Sequence, residues 1–116
     1  MVVSALKSKI HRATVTDANI DYVGSISIDK GLMRAANLLS YERVQVLNIT
    51  NGNRLETYAI ASEHKGHICI NGAAAHLVSP DDLVIIVSYG QIEINQASDY
   101  MPQIVYVDNK NHIIKK

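Results

Sequence analysis

The chain has 116 residues, 47% of them apolar and 19% charged, which is the composition of one globular domain rather than of a disordered or collagen-like chain. Eleven Lys and Arg balance eleven Asp and Glu, so no basic field points to a nucleic-acid partner. A small neutral domain of this kind favours self-association as a supplement to its core.

Other classes fall away on local grounds. The lone cysteine, Cys69, excludes an internal disulfide or a thiolate metal cluster, and within an apolar strand it reads as a small buried hydrophobe. The longest aliphatic run, Leu83 to Val87, is far short of the roughly 20 residues that span a bilayer. The segment from Met1 to Lys7 has neither the apolar stretch nor the cleavage site of a signal peptide, so a cytoplasmic location with no membrane partner is expected. Phe and Trp are absent, which leaves aromatic chemistry to six tyrosines.

Most of the pattern is strand. Lys9 to Thr16 alternates, Asp17 to Asp21 reads as a loop, and Ser25 to Ile28 is a short strand ending at Asp29. From Asp29 the period changes: Leu32, Ala35, Ala36 and Leu39 share one helical face, and Asp29 is the expected N-cap. Arg43 to Thr50 and Arg54 to Ala61 flank Asn51-Gly52-Asn53, whose Asn-Gly pair suits the positive φ angles of a tight hairpin. His67 to Ile70 is a further strand. Asn71 to His76 reads as a tight turn entering a helical turn, and Ser79 to Asp82 as another turn. Leu83 to Ser88 is apolar on both faces and therefore central. Ile104 to Val107 and His112 to Ile114 form a terminal hairpin about Asn109-Lys110-Asn111. Many short strands with one or two short helices predict a single mainly β domain, residues 1–116, closed into a barrel.

No dinucleotide, Walker or nucleophile-elbow motif occurs. His64 and His67 stand three apart beside Glu63, but they lack the longer-range partners of a metal site and read as solvated loop residues, so no metal is expected. Gly24-Ser25 by itself is an ordinary turn dipeptide. Its surroundings are not ordinary. Lys9-x-His11-Arg12, Asp21-Tyr22-x-Gly24-Ser25, Thr50-Asn51-Gly52-x-Arg54, Thr57-Tyr58 and Asn71-Gly72-Ala73-Ala74-Ala75-His76 together resemble, in order, the aspartate 1-decarboxylases. The resemblance runs from about Leu6 to Val87, and Ile26-Ser27 departs from the small pair that most often follows the serine.

The resemblance implies a double-psi β-barrel, assembled as a homotetramer, that is made as a proenzyme and cuts itself between Gly24 and Ser25. The products are chains 1–24 and 25–116. The Ser25 hydroxyl attacks the Gly24 carbonyl, elimination follows, and hydrolysis leaves a covalent pyruvoyl group at position 25. That cofactor forms a Schiff base with L-aspartate and accepts the electrons freed as carbon dioxide leaves, giving β-alanine for pantothenate and coenzyme A synthesis. Gly24 is expected to take a strained conformation that exposes its carbonyl. By the same resemblance, Thr57 hydrogen-bonds the oxyanion and Tyr58 gives a proton to the carbanion. Arg54 holds a substrate carboxylate through its guanidinium fork, with Lys9 and His11 on one strand face adding positive charge.

Gly72, Ala73 and Ala74 would let substrate approach the backbone. Asn71 would either cap the following turn or orient the ketone carbonyl, and Tyr22 would close the pocket. Whether maturation needs a helper protein is not written in these residues. The competing readings are a non-catalytic β-barrel binding module that stays uncleaved and, with less support, a serine hydrolase pairing Ser25 with His11.

Overall fold

The computed structural model describes all residues from Met1 to Lys116. Strand β1 (Val2–Thr14) runs through Val15 and Thr16 into β2 (Asp17–Asn19); there follow β3 (Ser25–Asp29), helix α1 (Lys30–Ala36), β4 (Arg43–Asn48), β5 (Arg54–Ser62) and β6 (Ile68–Asn71). A 3₁₀ segment (Gly72–Leu77) leads to β7 (Leu83–Glu93), a second 3₁₀ segment (Ile94–Asp99), β8 (Gln103–Val107) and β9 (Ile113–Lys115). The strand order is β2-β6-β3-β5-β4-β7-β1-β8-β9. Because β1 and β2 are one nearly continuous run, this order closes on itself. The N-terminal part of the run pairs antiparallel with β7 and its end pairs parallel with β6. The joining residues are held too: Val15 N–H donates to Asp82 O at 2.9 Å and Thr16 N–H to Ile68 O at 2.8 Å.

The mainly β barrel is therefore as expected, and the parallel β2–β6 and β3–β5 pairs supply the crossed connections of a double-psi topology. Its interior is built from branched aliphatics, which suit a pleated surface. Ile10, Ile26, Ile28, Val46, Ile68 and Ile86 are wholly buried. Asp29 caps α1 as predicted, accepting from Gly31 N–H at 2.7 Å, and also takes Gly66 N–H at 2.8 Å.

Several local expectations fail for identifiable reasons. Asn37 adopts a left-handed conformation that ends α1, and Leu38 N–H turns back to Met33 O. Leu39 therefore leaves the apolar stripe and is 66% exposed. Asp17 to Asn19 is strand rather than loop, because it pairs along β6. The β4–β5 connection is longer than a two-residue turn. The ladder ends at Leu47 opposite Arg54, only Gly52 has a positive φ there, and the Asn48, Asn51 and Asn53 side chains tie the loop together. Three short helical segments occur instead of one or two, the extra one being Ile94–Asp99, which has no buried residue to give it a period.

Candidate active site

Strand β3 opens at Ser25, which faces Asn71 across the β3–β6 ladder. Both residues are 4% exposed. The Asn71 amide nitrogen donates to Ser25 Oγ and to Ser27 Oγ, each at 3.1 Å. Its amide oxygen accepts the Cys69 thiol proton at 3.2 Å, which sets which end of the amide faces the serines. Burial, and then the negative charge of Asp17, push the Cys69 thiol pKa up, so it remains a donor at neutral pH. Cys69 is thus more than the small hydrophobe its strand suggested. Asn71 makes no capping hydrogen bond to the 3₁₀ segment, so the capping alternative is corrected: its side chain is committed to Ser25.

The backbone at the Gly24–Ser25 bond is unusual on two sides. Ser25 has φ of 157°, a positive value that side-chain-bearing residues seldom adopt. Gly72 has φ of 75°, and a Cβ there would lie 2.7 Å from Gly24 Cα and 3.0 Å from Gly24 N. Gly24 itself shows no positive φ, and a Cβ on it would meet nothing within 4 Å. The expectation that Gly24 carries the strain is corrected. The glycine that this junction requires is Gly72, because its bare Cα is what lets the two backbones touch.

A cavity of about 500 Å³ opens over the bond, and its walls include Tyr22, Gly24, Ser25, Ser27, Tyr41 and Tyr58. The β3–β5 register, with Ile26 beside Ala59, brings Tyr58 alongside Ser25. Tyr41 stacks on Tyr58 at 6.2 Å between ring centroids and 27° between planes. Ser62, Glu63 and His64 form the far wall. There Ser62 Oγ accepts His64 N–H at 3.2 Å and meets His67 Nδ1 at 2.8 Å, while exposed Glu63 pairs with Lys30.

Sequence reasoning thus places Tyr22, Gly24, Ser25, Tyr58 and Asn71 together, and they are together. Others are not brought to Ser25 within one chain. Lys9 and His11 lie on β1 where it pairs with β7 and β8. They flank the buried Ile10 and therefore face outward. The His11 ring packs edge-on against Tyr106 at 5.5 Å, and its Nδ1 is buried without a hydrogen-bond partner. Burial first, then the charges of Lys9 and Arg12, hold its pKa below the usual histidine value. No Ser25–His11 pair exists, so the hydrolase reading loses its base.

Arg54 is exposed at the start of β5, four residues and so roughly 13 Å along the strand from Tyr58. Thr57 lines a shallow recess with Arg43, Glu56 and Tyr58. Ala73 is exposed, and Ala74 packs on the core. Two participants escaped sequence reasoning. Cys69 was seen as apolar, and Tyr41 lies in a loop with no periodic signal.

The aspartate decarboxylase family model matches residues 1–114 of the chain. The aspartate 1-decarboxylase of Clostridium botulinum is 58% identical over 116 residues, covering 99% of this chain and 91% of that protein. Its namesake from Acetivibrio thermocellus is 56% identical, covering 98% and 91%, and that from Campylobacter fetus subsp. fetus 55% identical, covering 97% and 98%. With a matching family model along nearly its whole length, the serine and tyrosine of the expected motifs at one cavity and the asparagine hydrogen-bonded to that serine, the chain belongs to the aspartate decarboxylase family.

Proposed function

We propose that this chain is a proenzyme that cuts itself between Gly24 and Ser25 and then decarboxylates L-aspartate to β-alanine, the precursor that the family resemblance links to pantothenate and coenzyme A. The observation that carries the reading is the buried Ser25 hydroxyl, held by Asn71 at 3.1 Å beside a cavity it shares with Tyr58. A surface turn serine would have neither the burial nor the partner.

In the cleavage, Ser25 Oγ attacks the Gly24 carbonyl carbon, the C–N bond breaks, and the Ser25 nitrogen takes the hydroxyl proton. The Gly24 acyl group is now an ester on Ser25. Removal of the Ser25 α-proton then expels the Gly24 carboxylate, and water replaces the nitrogen of the resulting enamine, releasing ammonia. Asn71 contributes by donating to Oγ, which stabilises negative charge on that oxygen as its proton leaves. The positive φ of Ser25 raises the energy of the intact junction relative to the cut one. Thr57, on the same strand as Tyr58, is the proposed donor to the oxyanion.

Position 25 fits a pyruvoyl group, because a side-chain amide donor already stands beside it at the wall of an open cavity. Such a group supplies a ketone that takes up the substrate amine and a sink for the electrons left when carbon dioxide departs. Tyr58 holds a proton at its phenol oxygen for the substrate α-carbon. Tyr22, 62% exposed, forms the outer wall.

Arg54, Lys9 and His11 bind and orient the substrate carboxylates from a second copy of the chain, since one copy does not bring them to Ser25. The rim of the cavity suits such a neighbour: Ile20, Tyr22 and Val23 are all more than half exposed, more apolar surface than an isolated rim favours. A homotetramer is the assembly proposed, with exposed Ala73 as the point of close approach for substrate, Gly72 being packed on Gly24 and Ala74 on the core.

Intact-mass measurement tests the reading. The expected products are fragments 1–24 and 25–116, the second lighter by one ammonia than a serine-started chain, with β-alanine formed from aspartate. Ser25→Ala should remain uncut and inactive. A cleaved or active Ser25→Ala protein would sink the assignment, and a wild-type chain that stays whole and makes no β-alanine would be a binding module.

A further inference from the structure

Tyr41 has φ of 70°. In that region the Cβ of an L-residue crowds the following carbonyl, and a bulky side chain there is an outlier. The chain meets the same demand elsewhere mostly with short polar side chains, at Asn37 with φ of 58°, Asn111 with φ of 61° and Asp81 with φ of 76°, and once with Arg12, φ 64°, at a register shift in β1. At position 41 it uses tyrosine. Core packing does not explain the choice, because Tyr41 is 75% exposed.

What the conformation achieves is placement. Tyr41 N–H donates to Ala59 O at 2.7 Å, and Ala59 N–H donates to Glu42 O at 3.0 Å. These two bonds clip the loop to β5 one residue from Tyr58. The Tyr41 ring then lies nearly parallel to the Tyr58 ring, at 6.2 Å and 27°, and both line the cavity over Ser25. Offset ring pairs of this kind are attractive and restrict the torsions of both partners.

We infer that Tyr41 is a positioning residue: its strained backbone sets an aromatic wall against Tyr58 and keeps the Tyr58 phenol directed at the substrate over residue 25. The inference rests on the reading of Tyr58 as proton donor. Strain retained at an exposed residue is accounted for by the geometry it maintains at the site.

The test uses purified, fully cleaved enzyme. Tyr41→Asn places the ordinary left-handed occupant at the position, so its melting temperature should equal or exceed the wild-type value and its self-cleavage should be complete. Its kcat should nevertheless fall about fivefold, with KM changed less than twofold. Tyr41→Phe, which keeps the ring, should hold kcat within twofold of wild type. Adding Tyr41→Asn to Tyr58→Phe should cost nothing beyond Tyr58→Phe alone, since a residue that acts only through Tyr58 has nothing left to position.

Wild-type kcat in Tyr41→Asn would overturn the inference. So would Tyr41→Phe falling as far as Tyr41→Asn, or a further loss in the double variant, which would give Tyr41 a substrate contact of its own. Normal turnover by Tyr58→Phe is a different failure: it removes the proton-donor reading itself.

Discussion

Gly72→Ala is the substitution for which the structure makes the sharpest demand. An alanine at φ of 75° sits where an L-residue is disfavoured by about 1–2 kcal/mol. Its methyl would also lie 2.7 Å from Gly24 Cα, 3.0 Å from Gly24 N and 3.3 Å from Tyr22 O. All three are main-chain atoms and cannot rotate aside, so strands have to shift, and overpacking of this kind costs roughly 1–3 kcal/mol more. The sum, about 2–5 kcal/mol, corresponds to a melting temperature lower by roughly 8–20 °C for a domain of this size. The measurement belongs in a Ser25→Ala background, so that parent and variant both have an uncut backbone. Gly24→Ala, whose Cβ meets nothing within 4 Å, should melt within about 2 °C of the parent by the same reasoning. In a chain that keeps Ser25, Gly72→Ala should also slow fragment formation. It displaces the carbonyl under attack, and misplacement by about 1 Å can cost roughly 10²-fold in rate. Equal melting of the Gly72→Ala and Gly24→Ala precursors would refute the account of this junction.

Tyr58→Phe should form both fragments yet lose about 10²–10⁴-fold in β-alanine production, because a positioned acid is removed while the ring stays; normal turnover by the cleaved variant would return Tyr58 to a packing role. L-Aspartate should be decarboxylated far faster than L-asparagine, and Arg54→Gln should narrow that gap by about 10–100-fold, the worth of a charge-assisted bidentate pair; carbon dioxide release from both amino acids measures it, and an unchanged gap would remove Arg54 from substrate recognition. Glu42 sits below the usual carboxylate pKa, since burial pushes it up but the Leu39 N–H and the Lys7 ammonium outweigh that. A depressed folded-state pKa stabilises the fold above the ordinary glutamate value and is lost as pH falls through the folded one. Glu42→Gln should therefore flatten the acid limb of a stability–pH curve, and an unchanged limb would show that the pair contributes nothing there.

The barrel was legible because its signal is local. Alternating aliphatics, the Asp29 cap and the doubly apolar Leu83 to Ser88 segment each state their own environment, and the structure agrees with all three. What stayed hidden was long-range. Asp17 to Asn19 becomes strand only because β6 lies beside it, a fact held by Ile68 to Asn71 and not by the segment itself. The same holds at the site. Ser25, Asn71 and Tyr58 were recoverable as motif residues, but the roles of Cys69 and Gly72 depend on a ladder that sets residues about 45 positions apart side by side. Tyr41 was invisible for a further reason, since a positive φ at tyrosine runs against the propensity that sequence reasoning uses.

The proposed position of the cut is compatible with the same topology. The Gly24–Ser25 bond lies where the β2–β3 turn enters β3, so breaking it touches only the terminal Ser25–Asn71 rung and leaves every other rung of the ladders in place. The segment before it is the run that closes the barrel, paired with β7 from Val2 to Thr14, with β8 from Ser8 to His11 and with β6 from Asp17 to Asn19. It also places Ile10, Ala13 and Val15 wholly inside the core. Hydrogen bonds and burial of this kind do not depend on the chain being continuous past Gly24. Cleavage makes the unfolded state two separate chains, so folding then carries the cost of an association, about 4–15 kcal/mol at a 1 M standard state, against apolar burial worth about 1.5–3 kcal/mol for each large aliphatic in the core. A proenzyme can afford to break its backbone where the fold on both sides is already held by other strands, and the β2–β3 turn, beside Ser25 and over an open cavity, meets that condition.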